Sequence, residues 1–186
     1  MYKRLFIAIK ISPTEEFLSR IYYLKNNLSE DNINWIKESH YHLTLKFLGK
    51  THIHALPNLK NRLSDIADRF KSFDFDLYDL GVFGSKYQPR VLWFGIDHPD
   101  AIIAVNNRIV DQLKDLGYAS DRQNFVPHLT VARIRKIVNK DHFQAVVAKF
   151  KQGLIQNQKV SEMILYESVL KQSGAEYHIV DRFAFK

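Results

Sequence analysis

The chain has no cysteine among its 186 residues. That excludes disulfides and thiolate metal sites and accords with a reducing compartment. It also has no long apolar run. The N-terminal stretch MYKRLFIAIKISP holds only residues 5–9 as a continuous apolar segment before Lys10 ends it. This is too short for a signal peptide, and nothing elsewhere approaches the ~18 apolar residues of a membrane span. A soluble, cytoplasmic protein with no membrane partner is expected. No linker or low-complexity segment divides the sequence. Acidic residues are outnumbered: 20 Asp and Glu stand against 27 Lys and Arg, a net charge of +7. Such a balance favours an anionic partner, nucleic acid first, although a merely solvated basic surface gives the same number.

What is present is a normal apolar fraction, 46%, enough to bury a core in one domain or two joined lobes. Residues 3–10 alternate and read as a strand. Ser12 caps a helix with Pro13 at its first position and Glu15 completing a capping box, and Phe17, Leu18, Ile21, Leu24 and Leu28 form its apolar stripe. Residues 33–36 and 41–48 read as strands, the second ending at Gly49. Leu56, Leu59, Leu63, Ile66 and Phe70 space a second helix. Phe73, Phe75 and Leu77 alternate as a strand with one wet face. Residues 81–89 read as a loop and 91–96 as a buried strand. Pro99 opens a third helix that Gly117 follows. Residues 128–134 read as a strand, Phe143, Val146, Val147 and Phe150 mark a fourth helix, and residues 161–170 and 176–185 read as strands joined by a turn at Ser173-Gly174. Interleaved elements with hairpin-length connections indicate an α/β or α+β class with antiparallel sheets.

One tetrapeptide recurs. His42-Leu43-Thr44-Leu45 returns as His128-Leu129-Thr130-Val131, and of the eight histidines only these two have Thr or Ser two residues on. Each copy follows a strand–helix segment and precedes a helix, which suggests two similar halves about a pseudo-twofold axis. Side chains of a strand alternate, so each His and its Thr share a face while the apolar residues point the other way. If the halves face each other, two imidazoles and two hydroxyls converge. One neutral imidazole can take a proton from water and one protonated imidazole can donate to a leaving oxygen. The hydroxyls can hydrogen-bond the oxygens of a phosphate held between them. A single His-x-Thr is more often an ordinary core histidine and strand threonine; the doubled motif is what raises it.

Other residues enter with a bland reading beside the sharp one. Arg133 falls in opposite phase to His128, so it serves a phosphate only if the strand ends or twists near it; otherwise it is a surface ion pair. Lys46 is in phase with His42 and Arg90 starts a strand, so each is a cleft cation or an ordinary strand-end charge. Glu38, His40, His42, His52 and His54 can be read as a metal cluster or as a polar strand start and loop; no comparable cluster surrounds His128, so no metal is expected. Trp35, Tyr41, Trp93 and Phe125 are candidates for stacking on a base; Trp93 reads as core, and Phe125, beside the second motif, is the preferred one.

Several segments together resemble the two-histidine (2H) phosphoesterases, specifically the bacterial and archaeal RNA 2′,3′-cyclic phosphodiesterases historically called 2′-5′ RNA ligases. They are Arg4-Leu5-Phe6-Ile7-Ala8-Ile9, His42-Leu43-Thr44-Leu45-Lys46-Phe47-Leu48-Gly49, Pro89-Arg90-Val91-Leu92-Trp93, Phe125-Val126-Pro127-His128-Leu129-Thr130-Val131-Ala132-Arg133 and Leu165-Tyr166-Glu167-Ser168. The resemblance implies an α+β, bilobal domain over residues 1–186, with helices outside two mainly antiparallel sheets and a cleft between. It implies hydrolysis of an RNA 2′,3′-cyclic phosphate end to a 2′-phosphate, with His42 as proton donor and His128 as proton acceptor, and it allows reversible 2′–5′ ligation. Thr44, Thr130 and Arg133 are the expected phosphate-binding residues. No cofactor is expected, and the chain is expected to act as a monomer on an RNA or oligonucleotide end. From the residues alone the order of the two histidines stays open. So do two alternatives: an RNA-binding module with weak activity, and a phosphodiesterase acting on 2′,5′-linked oligonucleotides or small cyclic nucleotides.

Overall fold

The computed structural model describes residues 1–85, 87–118, 124–150, 153–172 and 174–186. Strand β1, Tyr2–Lys10, is buried on both faces along residues 5–9, as its uninterrupted apolar run requires. Helix α1, Glu15–Asn27, buries Phe17, Ile21 and Leu24. Its cap is Thr14, not Ser12: the Thr14 side chain accepts from the Phe17 N–H at 3.3 Å. Ser12 is still extended chain, its carbonyl accepting from Gln156 Nε2 at 3.1 Å. Strands β2 (Asn32–Trp35) and β3 (His42–His52) follow, then helix α2 (Leu56–Ala67). β3 does not stop at Gly49. That glycine takes φ +69°, and the strand bulges there and runs on.

The stretch 81–89, read as a loop, is largely strand. β4 spans Phe73–Gly84 and β5 spans Pro89–Asp97, paired as a hairpin; Lys86 lies outside the described residues. Gly81 is required there, because a Cβ would come within 2.2 Å of the Trp93 ring. Helix α3 is Asp100–Leu113, β6 is Leu129–Lys136 and α4 is Lys140–Ala148. Strand β7, Leu154–Val160, has no counterpart in the sequence reading. β8 (Glu162–Lys171) and β9 (Gly174–Ala184) close the chain. Of the turn expected between them, Ser173 lies outside the described residues. Among the described residues no helix is long and apolar enough to cross a membrane.

The strands form a four-stranded sheet, β3-β1-β8-β9, and a five-stranded sheet, β2-β6-β5-β4-β7. Every pairing is antiparallel. In each sheet a strand, a helix and a returning antiparallel neighbour carry one motif: β1-α1-β3 and β5-α3-β6. The connecting helices are exchanged. α1 leaves the first sheet yet packs on β7 of the second, and α3 leaves the second yet packs on β3 of the first. Arg20 of α1 donates to the Leu154 carbonyl at 2.9 Å, and Asn106 of α3 donates to the Leu45 carbonyl at 2.7 Å. One buried cluster joins Leu5, Ile7 and Leu43 of the first sheet to Leu77, Leu92 and Leu129 of the second.

Asn106 is 3% exposed, and its amide is the donor that satisfies a buried carbonyl. Asn106→Ala is expected to lower stability by about 2–3 kcal/mol, from the orphaned carbonyl together with a small cavity. The check is a urea unfolding curve, in which the midpoint should fall with little change in slope.

Candidate active site

The two motifs depart from regular strand in the same way. Along β3, His42 pairs with Lys10, Leu43 with Ile9 and Thr44 with Ala8, but Lys46 then pairs with Ile7, so Leu45 has no opposite. Along β6, Thr130 pairs with Trp93 and Ala132 with Leu92, leaving Val131 without one. One extra residue reverses the alternation beyond it. Leu45 and Lys46 are both buried, as are Val131 and Ala132. The displaced carbonyls find donors elsewhere, Leu45 from Asn106 and Val131 from the Ile36 N–H at 2.9 Å.

The bulges decide what enters the cleft. Lys46, expected beside His42, is turned to the core side and is 1% exposed. Phe47 and Arg133 are turned the opposite way, onto the faces of His42 and His128. Arg133, which strict alternation excluded, therefore lines the same cleft as His128 and Thr130. His42, Thr44, His128, Thr130 and Arg133 all border one cleft of about 480 Å³ between the sheets.

Both imidazoles are held alike. His42 Nδ1 lies 2.7 Å from the His40 carbonyl, and His128 Nδ1 lies 2.8 Å from the Val126 carbonyl. A carbonyl only accepts, so Nδ1 donates and Nε2 is left to accept or, when protonated, to donate. Aromatic rings set each ring plane. Phe6 lies 5.1 Å from His42, and Tyr177 meets it edge-on at 5.1 Å. Phe83 meets His128 edge-on at 4.9 Å, backed by Trp93 stacked on Phe83 at 4.8 Å. Trp93, read from sequence as core, thus stands behind His128 on the cleft side of its sheet.

The other candidates fall elsewhere. Phe125 packs against the core and does not border the cleft; the rings that do are Phe6, Phe47, Phe83 and Tyr177. Tyr41 is buried edge-on to Phe17, and Trp35 packs on the core beneath Lys25. Arg90 is exposed, and its neighbour Val91 faces the cleft. His52 and His54 stack on each other near the Met1 amino group, away from the cleft. Arg4 and Phe47 are cleft residues that the sequence reading did not single out. Phe47 is the clearer omission: it is 65% exposed, and only the register of β3 against β1 reveals where it points.

The cleft is electropositive. Arg4, His40, His42, His128 and Arg133 border it, and among the described residues no carboxylate does. Burial lowers the pKa of His42 most. The bond to the His40 carbonyl opposes this, and the charges of His40 and Arg133 add to the lowering. Burial and Lys37 also lower His40, against a smaller opposing effect of Glu176. An anion placed among these groups relieves their mutual repulsion and favours the protonated form of His42.

Two lobes that each contribute one His-x-Thr strand to a shared, cationic cleft have the fold of the two-histidine phosphoesterases. Comparison with known proteins agrees. A family model described as LigT like Phosphoesterase matches residues 9–93, which include the first motif. The chain is 27% identical over 175 residues to an RNA 2′,3′-cyclic phosphodiesterase of Archaeoglobus fulgidus, covering 94% of this chain and 96% of that one. It is 26% identical over 185 residues to a Thermotoga maritima protein of the same name, covering 98% and 96%. Its fold matches the crystal structure of E. coli LigT complexed with 3′-AMP, with a TM-score of 0.79 at 23% identity over 100% of this chain and 99% of that one. The chain thus resembles the LigT-like phosphoesterases in sequence over residues 9–93 and shares their fold along its whole length.

The lowered pKa of His42 gives a titration test. In the free protein its imidazole should remain neutral at a pH where an ordinary histidine, with pKa about 6.5, is half protonated. Saturating inorganic phosphate should shift its midpoint upward. Histidine ring NMR with and without phosphate measures this, with His42→Ala identifying the resonance.

Proposed function

We propose that the chain hydrolyses 2′,3′-cyclic phosphates at RNA ends to 2′-phosphomonoesters. The observation that carries this reading is the pair of matched imidazoles. Each is fixed through Nδ1 by a main-chain carbonyl and each borders one cleft with Arg133, in which no described residue is a carboxylate. The names of the relatives supply the substrate class. Water attacks phosphorus as His128 Nε2 takes its proton. The bond from phosphorus to the 3′ oxygen breaks, and His42 Nε2 donates a proton to that oxygen, leaving the phosphate on the 2′ oxygen. Thr44 and Thr130 hydroxyls donate to the non-bridging oxygens, and Arg133 offsets their charge. The exposed ring of Phe47 offers a stacking surface for the terminal base.

Both proton transfers are assigned to side chains, so no step is routed through a metal. An RNA 5′-hydroxyl in the place of water gives a 2′–5′ linkage by the same path, as a side reaction of the hydrolase. The reading treats residues 1–186 as one bilobal unit acting as a cytoplasmic monomer, in keeping with the continuous core and the absence of cysteine.

The test is product analysis on an oligonucleotide ending in a 2′,3′-cyclic phosphate, in excess EDTA. A 2′-phosphate product is expected; a 3′-phosphate would reverse the assigned bond cleavage. His42→Ala and His128→Ala should each lower kcat by about 10²–10⁴ while circular dichroism stays unchanged. Near-normal turnover in both variants would sink the assignment. Arg133→Ala should act on KM as well as kcat, because it removes charge stabilisation from ground state and transition state alike.

A further inference from the structure

His42 has a neighbour that the proposed reaction does not use. Lys10, the last residue of β1, stands directly across the ladder from His42. The two side chains therefore leave the same face of the sheet, with Cβ atoms roughly 5 Å apart. Lys10 makes no ion pair with any described residue. It does not border the main cleft. It lines a smaller recess of about 100 Å³ with Ser39, His40, His42, Tyr166 and Tyr177.

The partition between the two spaces is Tyr177, whose ring lies 4.9 Å from His40 and 5.1 Å from His42. His40, His42 and Tyr177 border both. Lys10 and Ser39 also border an outer basin of about 580 Å³ that Ser12, Pro13 and Glu38 bound. The recess has room for one tetrahedral anion and little more, and among the described residues no carboxylate lines it; Glu38 borders only the outer basin. A lysine beside an imidazole that must become protonated is unfavourable by itself, and an anion between them reverses the sign.

A nucleotide whose 3′ side is closed by a cyclic phosphate continues only through its 5′ oxygen. We propose that the recess is a second phosphate subsite, in which Lys10 and the Ser39 hydroxyl bind the phosphodiester immediately 5′ of the reacting nucleotide. This rests on the hydrolase reading and sharpens its substrate to the end of an RNA strand rather than a cyclic mononucleotide. The outer basin receives the preceding nucleoside.

The experiment compares kcat/KM for uridine 2′,3′-cyclic phosphate with that for the dinucleotide UpU bearing the same cyclic end. The wild-type protein should prefer the dinucleotide by about tenfold, chiefly through KM, as expected for one charge-assisted contact. Lys10→Ala should bring the ratio close to one, Lys10→Arg should keep most of it, and Ser39→Ala should remove a smaller part. Lys10→Ala should also reduce the slope of log kcat/KM against log salt by about 0.7 for the dinucleotide, the signature of one lost phosphate contact.

A wild-type ratio near one overturns the subsite. So does a ratio that survives Lys10→Ala, or one abolished by Arg4→Ala instead, which would place the strand at the opposite end of the cleft. In each of these cases the mononucleotide is still opened and the hydrolase reading stands. Turnover of neither substrate overturns both.

Discussion

Leu45 and Val131 each stand without a partner across their ladders, and the composition of the cleft follows from that. With strict alternation, Lys46 and Ala132 would face the cleft, and Phe47 and Arg133 would be driven toward the core. One extra residue per strand reverses the assignment without altering the motif itself. It also frees a main-chain carbonyl in a region with no access to water, where an unmet acceptor is costly. For Leu45 that acceptor is met by the buried amide of Asn106, a residue of the helix that belongs, by chain order, to the other sheet. The bond that satisfies the bulge is thus also one that joins the lobes.

On the proposed reaction, that joining bears on the chemistry. His42 opens β3 of one sheet and His128 immediately precedes β6 of the other, so the spacing between their Nε2 atoms is a lobe-to-lobe distance. Two imidazoles acting on opposite sides of one phosphorus must hold that spacing closely. The exchanged helices provide the restraint: α1 is fixed to β7 through Arg20 and the Leu154 carbonyl, α3 to β3 through Asn106, and a continuous apolar core runs between. The supports of the two rings are local to each lobe and unequal in kind. Phe6 and Tyr177 flank His42, whereas Phe83 and Trp93 flank His128. A motif repeated nearly letter for letter therefore places two histidines in different surroundings, a condition for their taking different roles.

Much of this could be read from the sequence. The apolar spacings locate the four α-helices of the described residues, and the doubled His-x-Thr points to both strands that meet at the cleft. What could not be read is relational. A bulge is a property of two strands in register, and nothing in Leu43-Thr44-Leu45-Lys46 alone says that Leu45 will be left unpaired. The fates of Lys46, Phe47 and Arg133 went with it. The Thr14 cap lies beside Gln156 of β7, which bonds both Ser12 and Thr14, and β7, with Gln156, Asn157 and Gln158 in its middle, lacks the apolar alternation that marks a strand. Closeness in sequence to His128 points to Phe125, whereas the ring that meets His128 is Phe83, from a segment whose turn residues conceal a hairpin.

The choice of carbonyls rather than carboxylates to hold the two imidazoles has a further consequence. An aspartate at Nδ1 would fix the tautomer too, but its charge would raise the imidazole pKa and repel an incoming phosphate. A main-chain carbonyl supplies orientation with only a dipole, and the cleft keeps its positive character. His42 is then held below the usual imidazole range by burial, and by the charges of His40 and Arg133, until an anion arrives. On the proposed reaction the substrate itself brings the charge that protonates the donor. A cyclic diester carries one negative charge, whereas the phosphomonoester product carries ≈ −1.5 to −2 near neutral pH. The same groups therefore attract the product more strongly than the substrate, and the electrostatics that arm the acid also oppose release of the 2′-phosphate.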